Sequence, residues 1–326
     1  MTKLEKLVQC ITRPHVYIQT HNYPDPDALS SARGLQYLLE FHGISSTICY
    51  KGQIDKCNTL QMIQLLQLEI HPEAELSLTE ADEIILVDCQ KGNNNVKDFL
   101  GEEIACIDHH MLQGTDCYRF FDIRSGVGSC ATLIASYFIE NKVDIPEDIA
   151  TLLVYGLKVD TANLTRSVTN LDVDMFSIIF KLANKPILQK LESSNLSLID
   201  LTSYAKAIEN LRIYGQVGIT NIGNDCSEAI IGTLSDFILS IDEIHFSVVY
   251  SYRAGGIKFS VRSDTPSYDA AKIIKESLKK YGDGGGHSRM AAGFIPEIPF
   301  DRASDIAASI EDNILQTIEK EPLTTS

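Results

Sequence analysis

In the first half of the chain, short apolar runs alternate with longer stretches in which apolar residues return every three or four positions. Val16-Tyr17-Ile18-Gln19-Thr20 and Ser46-Thr47-Ile48-Cys49-Tyr50 are β-rich, and residues 84–87 and 104–107 are continuous apolar runs of the kind that form buried strands. Across residues 27–41, Ala28, Leu29, Ala32, Leu35, Leu38 and Leu39 fall at helical spacing. Residues 60–68, 129–140 and 147–157 read as further helices, and Thr169-Asn170-Leu171-Asp172 as a helix start with a capping pair. Strands alternating with helices predict an α/β fold, with a mostly parallel sheet covered by helices on both faces. In such sheets ligands gather beyond the carboxyl ends of the strands.

The pattern changes near Lys185-Pro186. Residues 188–214 predict one or two helices, residues 216–222, 244–252 and 257–261 predict strands, and residues 269–280 and 303–318 predict helices. The expected organisation is a first domain over 1–190, a helical linker over 191–214 and a smaller α/β domain over 215–326. A cleft is expected between the domains, with the linker as its hinge. The tail after Glu321 is expected to fray.

Composition narrows the class. A chain of 326 residues, 44% of them hydrophobic, can bury two ordinary cores. No apolar run approaches the roughly 18–20 residues of a membrane span. The opening Met1-Thr2-Lys3-Leu4-Glu5-Lys6-Leu7 lacks the apolar stretch of a secretion signal. The eight cysteines are scattered with no C-x-x-C pair, which fits reduced thiols in the cytoplasm rather than a disulfide framework or a zinc ribbon. Cys89 and Cys106 read as small core hydrophobes. A net charge of −16 removes the counterion-release advantage on long nucleic acid. A nucleic-acid ligand must then be short, and neither a long duplex nor a membrane is expected as a partner.

The candidate chemistry lies in four clusters. His21-Asn22-Tyr23-Pro24-Asp25-Pro26-Asp27 follows the first strand, Asp88 ends the third, and Asp108-His109-His110 follows the fourth. Asp160 lies in Gly156-Leu157-Lys158-Val159-Asp160-Thr161. Two prolines stiffen the first loop, and residues two apart in an extended segment point the same way, so Asp25 and Asp27 are expected to share one geometry. Clustered carboxylates repel one another unless positive charge joins them, and a pair of divalent cations supplies it. Carboxylates mixed with imidazoles suit Mn²⁺, with Mg²⁺, Fe²⁺, Co²⁺ and Zn²⁺ as competitors. Each cluster alone also fits a plainer role: Asp-Pro pairs turn chains, Asp108 can cap a turn, and Asp160 can start a helix or face solvent. Their combination at strand ends favours the metal. His15, His42, His71 and His245 have no such company.

The order of these motifs resembles the DHH family of phosphoesterases, whose name describes the triplet seen here as Asp108-His109-His110, and the resemblance covers nearly the whole chain. It implies that one metal takes His21, Asp25 and Asp88, and the other Asp27, Asp88, His109 and Asp160, with Asp88 as the bridge. It also makes His110 a phosphate contact and Asp108 the group that orients a neighbouring histidine. Asp88, Asp108 and His110 are thus the expected catalytic residues. Ser30 stands where many relatives carry glycine, and Gln90 where a small residue is common. Leu157 and Leu164 replace frequent isoleucine and phenylalanine. None of these departures removes a ligand.

Gly284-Gly285-Gly286-His287 is the second strong feature. Three successive glycines fit a flexible turn or a close approach of backbone N–H groups to a phosphate. With Ala291-Ala292-Gly293 just beyond, the segment resembles the glycine-histidine motif of the DHH-associated C-terminal domain, which implies a role in holding the phosphate or the sugar–base end of a substrate. Arg262, at the end of a predicted strand, matches that family's substrate arginine, and Arg289 is a less central helper.

The resemblance implies a Mn²⁺-dependent hydrolase. The leading expectation is a phosphodiesterase of nanoRNase type, an exonuclease trimming very short oligonucleotides, with phosphatase activity on 3′-phosphoadenosine 5′-phosphate. Hydrolysis of cyclic di-AMP or its linear dinucleotide is the alternative within the class. A non-catalytic nucleotide-binding regulator is the alternative outside it. A homodimer is among the expected assemblies.

Overall fold

A computed structural model of the chain describes residues 1–93, 95–115, 117–193, 198–253, 255–298 and 302–320; the tail expected to fray lies outside these. The chain divides into two compact units, Met1–Asn195 and Leu196–Ser326.

The first unit is built on strands β1 (His15–Gln19), β2 (Ser45–Tyr50), β3 (His71–Pro72), β4 (Glu83–Val87), β5 (Glu102–Asp108) and β6 (Phe120–Ile123). All five pairings are parallel, in the order β3-β2-β1-β4-β5-β6. The chain winds outward in both directions from the β1/β4 junction, which makes that junction the switch point of a doubly wound sheet. Helices α1 (Lys3–Cys10), α2 (Pro26–Phe41), α3 (Cys57–Leu65), α4 (Cys130–Asn141), α5 (Glu147–Asp160), α6 (Asn170–Leu182) and α7 (Lys185–Ser193) complete the unit. The apolar stripe read from α2 is buried throughout, and every residue of β4 is buried. Thr169 and Asp172 form the reciprocal cap anticipated at the start of α6.

Helical cover on both sheet faces is corrected. The large core joins Ile18, Ile48, Ile85 and Val87 to residues of α1, α2, α4 and α5. On the opposite face, Cys49, Ile84, Leu86 and Cys106 are closed over by Leu76, Leu78, Val96 and Phe99, all from irregular segments. The chain between β4 and β5 forms turns and extended backbone over its described residues, so alternate strand residues are sealed by loops.

The second unit comprises α8 (Leu198–Glu209), β7 (Arg212–Tyr214), β8 (Val217–Asn224), α9 (Glu228–Leu239), β9 (Phe246–Arg253), β10 (Gly256–Ser263), α10 (Ala270–Leu278), β11 (Asp283–Gly286), β12 (Met290–Pro296) and α11 (Ala303–Lys320). Its sheet runs β11-β12-β10-β9-β8-β7, with only β8 and β9 parallel. One core packs the sheet on α10 and α11, another on α8 and α9.

The stretch 191–214 expected as a helical linker is divided. Leu188 and Leu191 of α7 belong to the core of the first unit, Ala207 of α8 to a core of the second, and residues 212–214 form a sheet strand. The glycine run is likewise a strand, β11, at the edge of the second sheet. Among the described residues, no helix is long and apolar enough to cross a membrane.

Candidate metal centre and substrate pocket

The ligand-bearing segments emerge from the carboxyl ends of β1, β4 and β5, around the switch point. Asp25 caps α2: its Oδ1 accepts from the N–H groups of Asp27 at 3.0 Å and Ala28 at 3.1 Å. Pro26 begins the helix there, where its missing N–H costs nothing. Asp25 and Asp27 therefore do not share an extended segment, and the expectation of one common geometry is corrected. Asp27 lies within the first turn of α2, and its two oxygens accept from Cys130 N at 2.7 Å and Ala131 N at 2.9 Å, the opening amides of α4. Asp88 follows β4 with φ 60, in the left-handed region uncommon for non-glycine residues, and its N–H donates to Ile107 O at 2.9 Å. Asp160 is the last residue of α5. That helix passes close to α2 at Gly156, where a Cβ would lie 3.0 Å from Ser30 Cβ and 3.1 Å from Asp27 Cα. Ser30 is itself fully buried, and Gly156 leaves it room.

All six expected ligands converge. His21, Asp25 and Asp88 form one group able to hold an ion, and Asp27, His109 and Asp160 another, with the ligand atoms of each within 4.8 Å of one another. Asp88 reaches both. Its Oδ2 is 3.7 Å from His21 Nε2, and its Oδ1 is 3.3 Å from His109 Nε2. His109 Nε2 also lies 3.1 Å from Asp160 Oδ2 and 4.0 Å from Asp27 Oδ2. Asp88, His109 and His110 form a third possible group.

The imidazoles are oriented for ligation. His21 Nδ1 donates to Asn22 O at 2.8 Å and His109 Nδ1 to Val127 O at 3.1 Å, which turns each Nε2 toward the carboxylates. Buried Asp88 Oδ1 and His109 Nε2 have no hydrogen-bond partner. With Nδ1 protonated, a neutral His109 would aim a lone pair at an oxygen lone pair, and only a cation or a further proton resolves that contact. Titration reflects the same conflict. Burial, followed by the charges of Asp88 and Asp160, pushes the Asp27 carboxyl well above the ordinary range, and burial raises Asp88 despite the nearness of His109. Burial opposes charge on the two histidines. Even so, Asp25 and Asp88 push His21 up to about 9, and Asp160 and Asp88 push His109 up to about 12. A buried set of carboxylate oxygens and imidazole nitrogens fits divalent manganese.

Asp108 belongs to none of these groups. It is fully buried at the end of β5, and its Oδ1 accepts from His110 Nδ1 and from His109 N, both at 2.8 Å. Its Oδ2 accepts from Gln90 Nε2 at 2.6 Å. Burial opposes ionisation of Asp108, but the His110 and Gln90 bonds hold its carboxyl below the ordinary range, and the Asp108 bond raises His110. Gln90 is a site residue that sequence reasoning saw only as an odd substitution. Fully buried, it also donates to Met111 O at 3.1 Å and accepts from Gln113 N at 2.8 Å, so one amide clamps both ends of the triplet loop. Its partners lie 18 to 23 positions away, and nothing local announces them.

In the second unit, a cavity of about 290 Å³ is lined by Arg262, Lys258, Gly232, Gly285, Gly286 and apolar neighbours. Arg262 donates from Nε to Asp236 Oδ1 at 2.8 Å and from Nη1 to Ser260 Oγ at 3.0 Å. The glycines divide their work. Gly284 lies against Ile274 of α10 and Gly286 (φ +144) against Met290 O, while Gly285 has open space where a side chain would be. Gly284 and His287 are not part of the cavity lining; His287 is exposed in the turn into β12.

The carboxylate–imidazole cluster thus sits at the switch point of the parallel sheet, where ligands of such folds gather, and could hold divalent cations. A model of the DHH family N-terminal domain matches residues 15–157, and one of the DHHA1 domain matches residues 213–319. The chain thus carries a DHH-family N-terminal domain followed by a DHHA1 domain. An uncharacterized protein of Methanocaldococcus jannaschii is 29% identical over 305 residues, 93% of this chain; the chain spans 62% of that protein's length. A manganese-dependent inorganic pyrophosphatase of the same organism is 29% identical over 167 residues, covering 48% of this chain and 52% of the pyrophosphatase. The fold is shared with the crystal structure of an exopolyphosphatase-related protein from Bacteroides fragilis, with 17% identity, 97% and 96% of the two chains covered, and a TM-score of 0.78.

Proposed function

We propose that this chain is a manganese-dependent phosphodiesterase that hydrolyses short oligonucleotides, with 3′-phosphoadenosine 5′-phosphate as a further substrate. The observation that carries the proposal is Asp88, whose two oxygens face separate ligand groups, as a carboxylate shared by two cations does. Two such ions, when bound, lower the pKa of a shared water enough to provide hydroxide near neutral pH. His21, Asp25, Asp27, Asp88, His109 and Asp160 would hold them. Asp108 keeps a proton on His110 Nδ1 and favours the imidazolium, so the half-exposed ring can donate from Nε2 to a phosphoryl oxygen. Arg262, held by Asp236 and Ser260, offers its remaining N–H groups to a phosphate at the cavity it lines, with Gly285 and Gly286 beside it.

The pyrophosphatase relative matches about half of this chain, and the second unit matches the DHHA1 model instead, which supports a substrate larger than pyrophosphate. Cyclic or linear di-AMP is the second reading, since the cavity is equally open to a purine nucleotide. Retention of the full ligand set argues against a non-catalytic regulator. A reducing compartment such as the cytoplasm suits a chain in which none of the eight cysteines, all among the described residues, is in a disulfide.

The test is a rate ranking with Mn²⁺ for a labelled dinucleotide, a long oligomer, cyclic di-AMP, phosphoadenosine phosphate and pyrophosphate. The dinucleotide should lead. Pyrophosphate as the fastest substrate would overturn the reading, and metal uptake with no turnover of any substrate would favour the regulator.

A further inference from the structure

The segment from His21 to Asp27, which carries three of the candidate ligands, also holds up an exposed aromatic ring. Tyr23 is 65% exposed, yet its position is firmly set. Its backbone has φ 56, a strained choice for a bulky residue. Its N–H donates to Lys51 O at 2.8 Å. Neighbouring Asn22 is tied twice, donating from N to Asn95 O at 2.6 Å and accepting at its side-chain oxygen from Lys97 N at 3.1 Å. The ring rests on Gly52, which has φ +93, and a Cβ there would come within 2.5 Å of Tyr23 Cε1. Only glycine leaves room for the ring in that seat. Strain of this kind persists where the surroundings over-determine it, and it collects at functional sites.

Tyr23 stands two residues after His21 and two before Asp25, at most about 7 Å of chain from either. It lines a small recess with Pro24, Gln53, Ile54, Asp55 and Lys56. Lys56 is close enough for its charge to favour ionisation of Asp25. A fixed aromatic platform, a nearby cation and a set of metal ligands match the parts of one ligand: a planar base joined to a phosphate.

We propose that Tyr23 is a stacking platform for a nucleobase of the substrate whose phosphate is held at the metal ligands. This rests on the nucleotide reading of the function and assigns base recognition to the first unit as well as the second. Stacking tolerates any base, because every base presents a π-face. It would favour nucleotides over phosphate esters without a ring.

The test uses the full chain with Mn²⁺ and isothermal titration calorimetry with adenosine 5′-monophosphate and ribose 5-phosphate. Tyr23→Ala should bind the nucleotide about tenfold more weakly and the sugar phosphate within about twofold of the parent. Tyr23→Phe should retain the parent's preference, with manganese content unchanged in both variants. The proposal is overturned if Tyr23→Ala binds the nucleotide as the parent does, if both ligands weaken equally, or if the parent binds no nucleotide. Loss of base preference in Tyr23→Ala, in a protein that cleaves pyrophosphate but not dinucleotides, would sustain the platform and sink the phosphodiesterase reading.

Discussion

The metal cluster of the first unit and the cavity of the second are assembled by opposite rules. In the first, acids and imidazoles from strand ends, the start of α2 and the end of α5 press against each other, leaving buried Asp88 Oδ1 and His109 Nε2 without hydrogen-bond partners. In the second, the principal charge, Arg262, is already paired with Asp236, and much of the remaining lining is glycine and apolar surface. One site has an unmet electrostatic demand; the other offers a shape. A dication or protons must answer the first, whereas the second can wait for its ligand without strain.

The sharpest way to break this contrast is Asp88→Ala. It should cut turnover about a thousandfold and take manganese content below two ions per chain, with an unchanged far-ultraviolet circular dichroism spectrum. Full turnover in a folded variant would remove the bridge.

Proton competition should distinguish the two sites next. His21, raised from 6.5 to about 9, and His109, raised to about 12, are protonated near neutrality in the metal-free protein. Binding an ion must expel those protons, so manganese affinity should rise between pH 6 and 9, by about tenfold per pH unit for each proton released. Because both folded values exceed the ordinary 6.5, the metal-free protein has the full benefit of these pairs below about 6.5 and loses the His21 share as pH climbs through about 9. Its melting temperature should fall across that interval and recover when manganese is added. Calorimetric titrations and melts at four pH values would check both slopes, and a flat affinity would show that the ligands are not protonated.

Gln90→Leu probes the layer behind the cluster. It removes the amide that fixes Asp108 while roughly preserving volume, and turnover should drop about tenfold to a hundredfold with manganese stoichiometry intact. Lost metal would mean that Gln90 holds the fold of the site rather than the orientation of His110. The smallest effect is expected in the second unit, where Arg262→Ala should weaken nucleotide affinity about tenfold and leave metal binding alone. A change in metal content there would end the division of labour.

The contrast also governs how much could be read from the sequence. The candidate ligands were legible because each motif sits at the end of an apolar run, so topology gathers them. The stripe of α2 and the cap of α6 were legible for the same local reasons. What escaped depends on partners far along the chain or on the absence of side chains. β12 alternates exposed and buried positions, but Ala291 and Gly293 are too small to register as a hydrophobic period. β11 is glycine for three of its four residues and declares no strand propensity; pairing with β12 creates it. α9, capped by Ser227, buries Ile230, Ile231, Leu234 and Ile238, and Gly232 interrupts the stripe just where the helix meets Arg262. The geometry of Asp25 and Asp27 was misjudged because Pro26 fits an extended loop and a first helical turn equally well.

Gly156 carries no donor atom, yet it controls one. It lies where α5 crosses Ser30 and the backbone of Asp27, and Asp160 follows one helical turn later. A methyl group at this position would act as a shim between the two helices and swing the carboxylate away from His109. The capacity of the Asp27, His109 and Asp160 group to take an ion would then depend on the bulk of a residue outside it.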